Sequence, residues 1–218
     1  MAPVTQRSYP TIIAIHPKIF VGGDEYKIFC FTNASAKAYS ALVYLNSVEG
    51  TATVNMVFSK TRVAPTKQLS ILRLELLAIF IGRRCLNYVT NELQCPVTDR
   101  FLWTDSQCVL HWMKSNKPLP TFIQNRLNEI SSNKGIKLRY VSTSQNPADL
   151  ATRGITTEEL MNSNYLWWHG PSWLKEDMTT WPSWNFEQID DNTLRQLAEH
   201  ASAKIIYRSS AEVCISSH

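Results

Sequence analysis

Three short runs of apolar, alternating and β-branched residues open the chain's patterned region: Lys27 to Thr32, Tyr39 to Asn46 (YSALVYLN) and Thr51 to Ser59 (TATVNMVFS). Small polar residues from Asn33 onward separate the first two, and Glu49-Gly50 separates the second from the third. Alternation broken by turn signals predicts an antiparallel meander. The period then lengthens. Between Ser70 and about Leu93, the residues Leu72, Leu76, Ile79, Phe80, Arg83 and Leu86 fall at helical spacings, and Thr66 or Ser70 suits the cap.

After Pro96, Arg100 to Thr104 predicts a fourth strand. Helices follow over Ser106–Lys114 and, past Pro118-Leu119-Pro120, over Thr121–Ser131. Gly135 stops the second of these, and Lys137 to Ser142 predicts a fifth strand. In NPADLATRG, Asn146 caps a short helix, Pro147 takes its first position and Gly154 ends it. Three strands, a helix, a strand, helices, a strand and a helix make an α/β layout with a mixed sheet.

The flanks differ. Residues 1–24, with Pro3, Pro10, Pro17 and Gly22-Gly23, read as an extended arm before a domain over residues 25–155. Residues 156–218 hold aromatic, proline-broken text (NYLWWHGPSWL, WPSWNFE) and one last helix over residues 191–208. Trp103 and Trp112 read as core. Trp167, Trp168, Trp173, Trp181 and Trp184 either dock this extension on the domain or offer a surface to a protein partner.

A hydrophobic content of 44% against 18% charged residues describes a core-forming chain. The net charge of +4 permits a polyanion partner without demanding one. The five cysteines are scattered and odd in number, which argues against a disulfide framework. No long apolar run and no charged-then-apolar leader occur, so no membrane partner and an intracellular location, nucleus or cytoplasm, are expected.

Three acids stand in costly places. Glu75 interrupts the apolar helix, Asp105 ends the fourth strand and Asp149 lies in the first turn of the short helix. Singly each has an ordinary reading: a solvent face, an N-cap, a dipole-favoured acid. Together they fall where α/β sheets place ligand groups. Oxygen donors from separate elements suit Mg²⁺ or Mn²⁺ better than zinc, for which no His/Cys cluster is spaced. Lys114, Lys117, Arg126, Lys134, Lys137 and Arg139 can track a phosphate backbone or form a solvated face.

The series FTNAS…AY, LRLELLA, LWTDSQ, NPADLATRG and LWWHGPSWL, from about Lys27 to Leu174, resembles the ribonuclease H region of BEL/Pao-type retrotransposon polyproteins. The resemblance implies a ribonuclease H-like mixed five-stranded sheet flanked by helices, with a Trp-rich extension. It implies four catalytic positions, acidic in the order Asp, Glu, Asp, Asp. The last three fall on Glu75, Asp105 and Asp149, which would hold the metal. The first falls on Asn33, in FTNAS where the family has DAS.

The implied chemistry is two-metal hydrolysis of the RNA strand of an RNA–DNA hybrid. Ser35, Ser106, Gln107, Lys114, Lys117, Arg126, Lys137 and Arg139 are the expected nucleic-acid contacts. An amide gives one neutral oxygen and an NH₂ that repels cations. Asn33 therefore predicts an impaired site, with Mg²⁺ or Mn²⁺ held poorly or no metal held at all. The family's ribonucleases often carry a His before the last Asp, and the loop STSQN has none. The expectation is a nucleic-acid-binding or protein-interaction module; an active hybrid-specific nuclease is the alternative. Asn33 is either natural, in a retained fragment, or introduced. The missing protease, reverse transcriptase and integrase regions lead us to expect a stand-alone piece.

Overall fold

The computed structural model describes residues 25–47, 53–66, 69–93, 96–132, 135–154 and 165–183. The arm over residues 1–24, the helix over residues 191–208, Lys134 and Trp184 lie outside them. The strands are β1 (Tyr26–Ala34), β2 (Ala38–Ser47), β3 (Val54–Val63), β4 (Val97–Thr104) and β5 (Ile136–Tyr140). The helices are α1 (Ile71–Glu92), α2 (Gln107–Lys114), α3 (Thr121–Ser131), α4 (Pro147–Arg153) and α5 (Tyr165–His169).

The five strands form one sheet in the order β3-β2-β1-β4-β5. β1, β2 and β3 pair antiparallel, whereas β4 pairs parallel with both β1 and β5. A mixed sheet of this order with flanking helices is the ribonuclease H-like fold.

Successive residues of β1 point to opposite faces, and both faces are covered. Ile28 and Cys30 join the core under α1, beside Leu76, Ile79 and Leu86, with Val109, Ile123 and Leu127 added by α2 and α3. Phe29 and Phe31 point the other way, into a second core with Leu42, Tyr44, Phe101 and Trp103. Burial on both sides explains why β1 reads as an almost unbroken apolar run.

The second core is closed by residues 165–183. Trp173, Leu174 and Trp181 are buried in it. Tyr44 donates its hydroxyl to the Trp167 carbonyl at 2.7 Å, Asn46 Nδ2 donates to the Leu174 carbonyl at 3.3 Å, and His169 Nδ1 lies 2.9 Å from the Val54 carbonyl. Trp168 stays 38% exposed. Neither α5 nor the 3-10 turn Ser172–Lys175 carries a periodicity that predicts it, because each is about one turn long.

Several boundaries move. β1 continues past Thr32, because Asn33 pairs with Ser40 and Ala34 with Tyr39, so Asn33 sits in the strand rather than in the turn. β4 starts at Val97, which pairs with Tyr26. β5 ends at Tyr140, and a 3-10 turn over Thr143–Gln145 leads into α4. Ser70 takes the N-cap position of α1 without a capping side-chain bond.

Candidate active site

The register that sets Thr32 beside Thr104 brings the ends of β1 and β4 together, with Asn33 on one and Asp105 just beyond the other. α1 packs across this end of the sheet and carries Glu75 there: the Ala34 backbone N–H bonds to its carboxyl group. α4 closes the site from the β2 side and carries Asp149.

α4 is held by polar side chains. Asn146 accepts from the Ala148 N–H at 3.2 Å, capping the helix, and its Nδ2 donates to the Thr32 carbonyl at 3.0 Å. Ser40 Oγ donates to the Ala148 carbonyl and Ser35 Oγ to the Thr152 carbonyl, each at 3.0 Å. Asn33 Nδ2 donates both to Asp149 Oδ1 and to Thr152 Oγ1, each at 3.0 Å. Thr152 spends its own proton on the Asp149 carbonyl at 3.1 Å, so its oxygen accepts from Asn33. The network thereby fixes which end of the amide faces Asp149. On the outer side, Asp149 Oδ2 pairs with Arg153.

Glu75 and Asp105 are placed differently. Burial first, then the neighbouring charge of Asp105, holds Glu75 well above the usual carboxylate range; Asp149 adds to this and the Ala34 N–H works against it. Burial likewise raises Asp105, opposed by hydrogen bonds from Thr143 and its own backbone, with Asp149 pushing upward again. Glu75 Oε2 and Asp105 Oδ1 are buried with no hydrogen-bond partner. The structure thus brings the four positions together as two unlike pairs: Asn33 bonded to Asp149, and Glu75 facing Asp105.

The pair of divalent cations implied by the resemblance does not fit these donors. Glu75 Oε2 and Asp105 Oδ1 have free lone pairs for one ion. Asp149, however, gives Oδ1 to an amide and Oδ2 to a guanidinium. Among the described residues no three His, Cys, Asp or Glu side chains are arranged to hold a metal ion.

The expected nucleic-acid contacts sit on several elements. Ser35 is spent inside the β1–β2 turn, accepting from the Lys37 and Ala38 N–H groups while it holds Thr152. Ser106 is the buried N-cap residue of α2, and Gln107 is half-buried in the first turn. Arg126 lies over the Phe122 ring at 3.5 Å on the α1–α3 layer, whereas Lys137, on β5, pairs with Asp99 at 2.6 Å. Lys114, Lys117 and Arg139 are exposed. Thr152 and Arg153 were not singled out from sequence; a hydroxyl three residues after Asp149 and a cation four after it are the signals that point to them.

The family model described as the Pao retrotransposon-like RNaseH-like domain matches residues 11–106, a span that includes Asn33, Glu75 and Asp105 and ends before Asp149. The match covers somewhat under half of the chain, which is similar to that family over this span. Among solved structures, it is similar to RNase H1 from the archaeon Halobacterium salinarum, at 14% identity over 64% of this chain and 99% of that one, with a TM-score of 0.39. It is also similar to the N-terminal RNase H domain of a Mycobacterium tuberculosis protein, at 10% identity over 60% and 95% of the two chains, with a TM-score of 0.41. LC11-RNase H1, solved with an RNA/DNA hybrid, gives 12% identity over 57% and 91%, with a TM-score of 0.40. Overlaps this loose carry no weight of their own; the strand order β3-β2-β1-β4-β5 carries the fold. No curated protein matches the chain.

Proposed function

We propose that this Pao-type domain binds nucleic acid, RNA–DNA hybrid foremost, and that its hydrolytic site is severely impaired. One observation carries the impairment: at the position where the resemblance calls for a carboxylate, the Asn33 amide donates to Asp149 Oδ1. An N–H in that place repels a cation instead of binding it. A protein fold that must hold two ions about 3.5–4 Å apart then lacks the donor common to both. The resemblance and the exposed Lys114, Lys117 and Arg139 support the binding half of the reading.

A working nuclease is the second reading, favoured by Glu75 and Asp105. Two buried acids with unpartnered oxygens are costly to keep unless something positive offsets them. Anisotropy of a labelled hybrid, titrated with salt in Mg²⁺ and again in Mn²⁺, tests the proposal. We expect binding whose log–log slope steepens by about 0.7–0.9 for each phosphate neutralised, with the RNA strand intact. Negligible affinity at low salt would overturn the nucleic-acid reading and point to a protein partner.

A further inference from the structure

We infer that Asn33 does internally what a bound cation would otherwise have to do: it joins β1 to the Asp149 carboxylate, so that α4 stays docked without a divalent ion. The inference shares with the functional reading only the placement of Asn33 in the carboxylate slot.

α4 has seven residues, two turns, and is far too short to hold itself together. Its position depends on bonds to the sheet. Those from Asn146 to the Thr32 carbonyl, from Ser40 to the Ala148 carbonyl and from Ser35 to the Thr152 carbonyl reach its backbone and N-cap. Those from Asn33 reach Asp149 and Thr152 side chains and are the ones that engage the buried acid.

A carboxylate at position 33 would set an oxygen against Asp149 Oδ1 at about the same distance. Two carboxylates that close cannot both stay ionised without a shared proton or a cation between them. The second N–H contact, to Thr152 Oγ1, would also become acceptor against acceptor, because the Thr152 proton is already committed to the Asp149 carbonyl. Arg153 offsets little of this: its side chain is 44% exposed and it meets the outer oxygen, where water and salt screen it. The amide thus puts two hydrogen bonds in place of a repulsion that a shared proton or a cation would have to relieve.

The test is hydrogen exchange of the α4 amides, read with thermal unfolding, in EDTA and in Mg²⁺. For the unaltered chain we expect the same α4 protection in both and a Tm that differs by no more than about 1 °C. Asn33→Asp in EDTA is expected to lose about 3–8 °C and to exchange α4 amides at least about tenfold faster. Mg²⁺ should restore both. Cation-dependent α4 protection in the unaltered chain, or unchanged protection of Asn33→Asp in EDTA, would overturn the inference.

If Asn33→Asp does not fold, Asn33→Ala decides: faster α4 exchange that Mg²⁺ fails to slow supports the inference, and unchanged exchange overturns it. Cleavage is not read here. A chain that cuts hybrid as written would remove the functional reading and leave this inference standing.

Discussion

The rings of Trp103 and Trp173 lie 4.8 Å apart, joining β4 to a segment seventy residues further on. Trp173 also meets Phe31 at 6.2 Å and Trp181 at 6.0 Å, so the second face of the sheet is closed by aromatic contacts from the extension. Trp173→Ala should cost about 3–5 kcal/mol as a buried aromatic truncated to a cavity. Trp168→Ala, at a half-open position, should stay within about 1 kcal/mol. Trp173→Phe should be far milder than Trp173→Ala, because the buried Trp173 Nε1 has no acceptor to lose. Chemical unfolding of the three variants checks this, and a Trp173→Ala chain as stable as Trp168→Ala would mean that the extension does not dock.

Gly82 faces β1 from the middle of α1. A Cβ there would stand 2.4 Å from Thr32 Cγ2, 3.0 Å from Leu102 Cδ1 and 3.2 Å from Cys30 Sγ. Thr32 cannot turn away cheaply, since its hydroxyl bonds to the Trp103 carbonyl at 3.0 Å. Overpacking of about 1–3 kcal/mol should therefore outweigh the roughly 1 kcal/mol that alanine gains in a helix. Gly82→Ala is expected to destabilise, and adding Thr32→Ser, which removes the clashing methyl, should recover part of the loss. A Gly82→Ala chain more stable than the original would refute the close approach.

Glu75 and Asp105 give stability a pH dependence of defined sign. Both are raised in the folded chain above ordinary values of 4.5 and 3.8, mainly by burial. The folded state therefore holds protons that the unfolded state has released. The contribution is fully present below the unfolded values and is lost as pH rises through the folded ones. In EDTA, Glu75→Gln should gain on the unaltered chain as pH rises from about 4 toward neutrality. The glutamine keeps an acceptor for the Ala34 N–H. A stability difference independent of pH, measured by urea unfolding across that range, would contradict the placement of Glu75 in a buried acid pair.

Much of this arrangement was legible in the chain. Leu76, Ile79 and Leu86 mark the buried stripe of α1 by spacing alone, and Asn146-Pro147 with Gly154 marks α4 to the residue. α5 and the turn after it were not legible, because about one turn shows no period; α5 is placed by contact with β3, and Trp173 and Leu174 of the turn are buried by the aromatic face. The length of β1 was missed for a related reason: Asn33 and Ala34 are strand residues only because Ser40 and Tyr39 pair with them. At the site, Glu75, Asp105 and Asp149 stood out as acids in apolar or terminal positions. Thr152 and Arg153 did not, since their part depends on the side-chain network around Asp149.

The central claim is that an amide at position 33 disables the site while leaving its other residues in place. Its most direct measurement is cleavage of a labelled RNA–DNA hybrid by the unaltered chain and by Asn33→Asp, side by side, in Mg²⁺ and in Mn²⁺. Removing one catalytic donor typically costs about 10²–10³-fold. The account predicts near-background cutting by the unaltered chain and a gain of at least about 10²-fold in Asn33→Asp, abolished again by Asp105→Asn. Robust cutting by the unaltered chain, equal to that of Asn33→Asp, would contradict it.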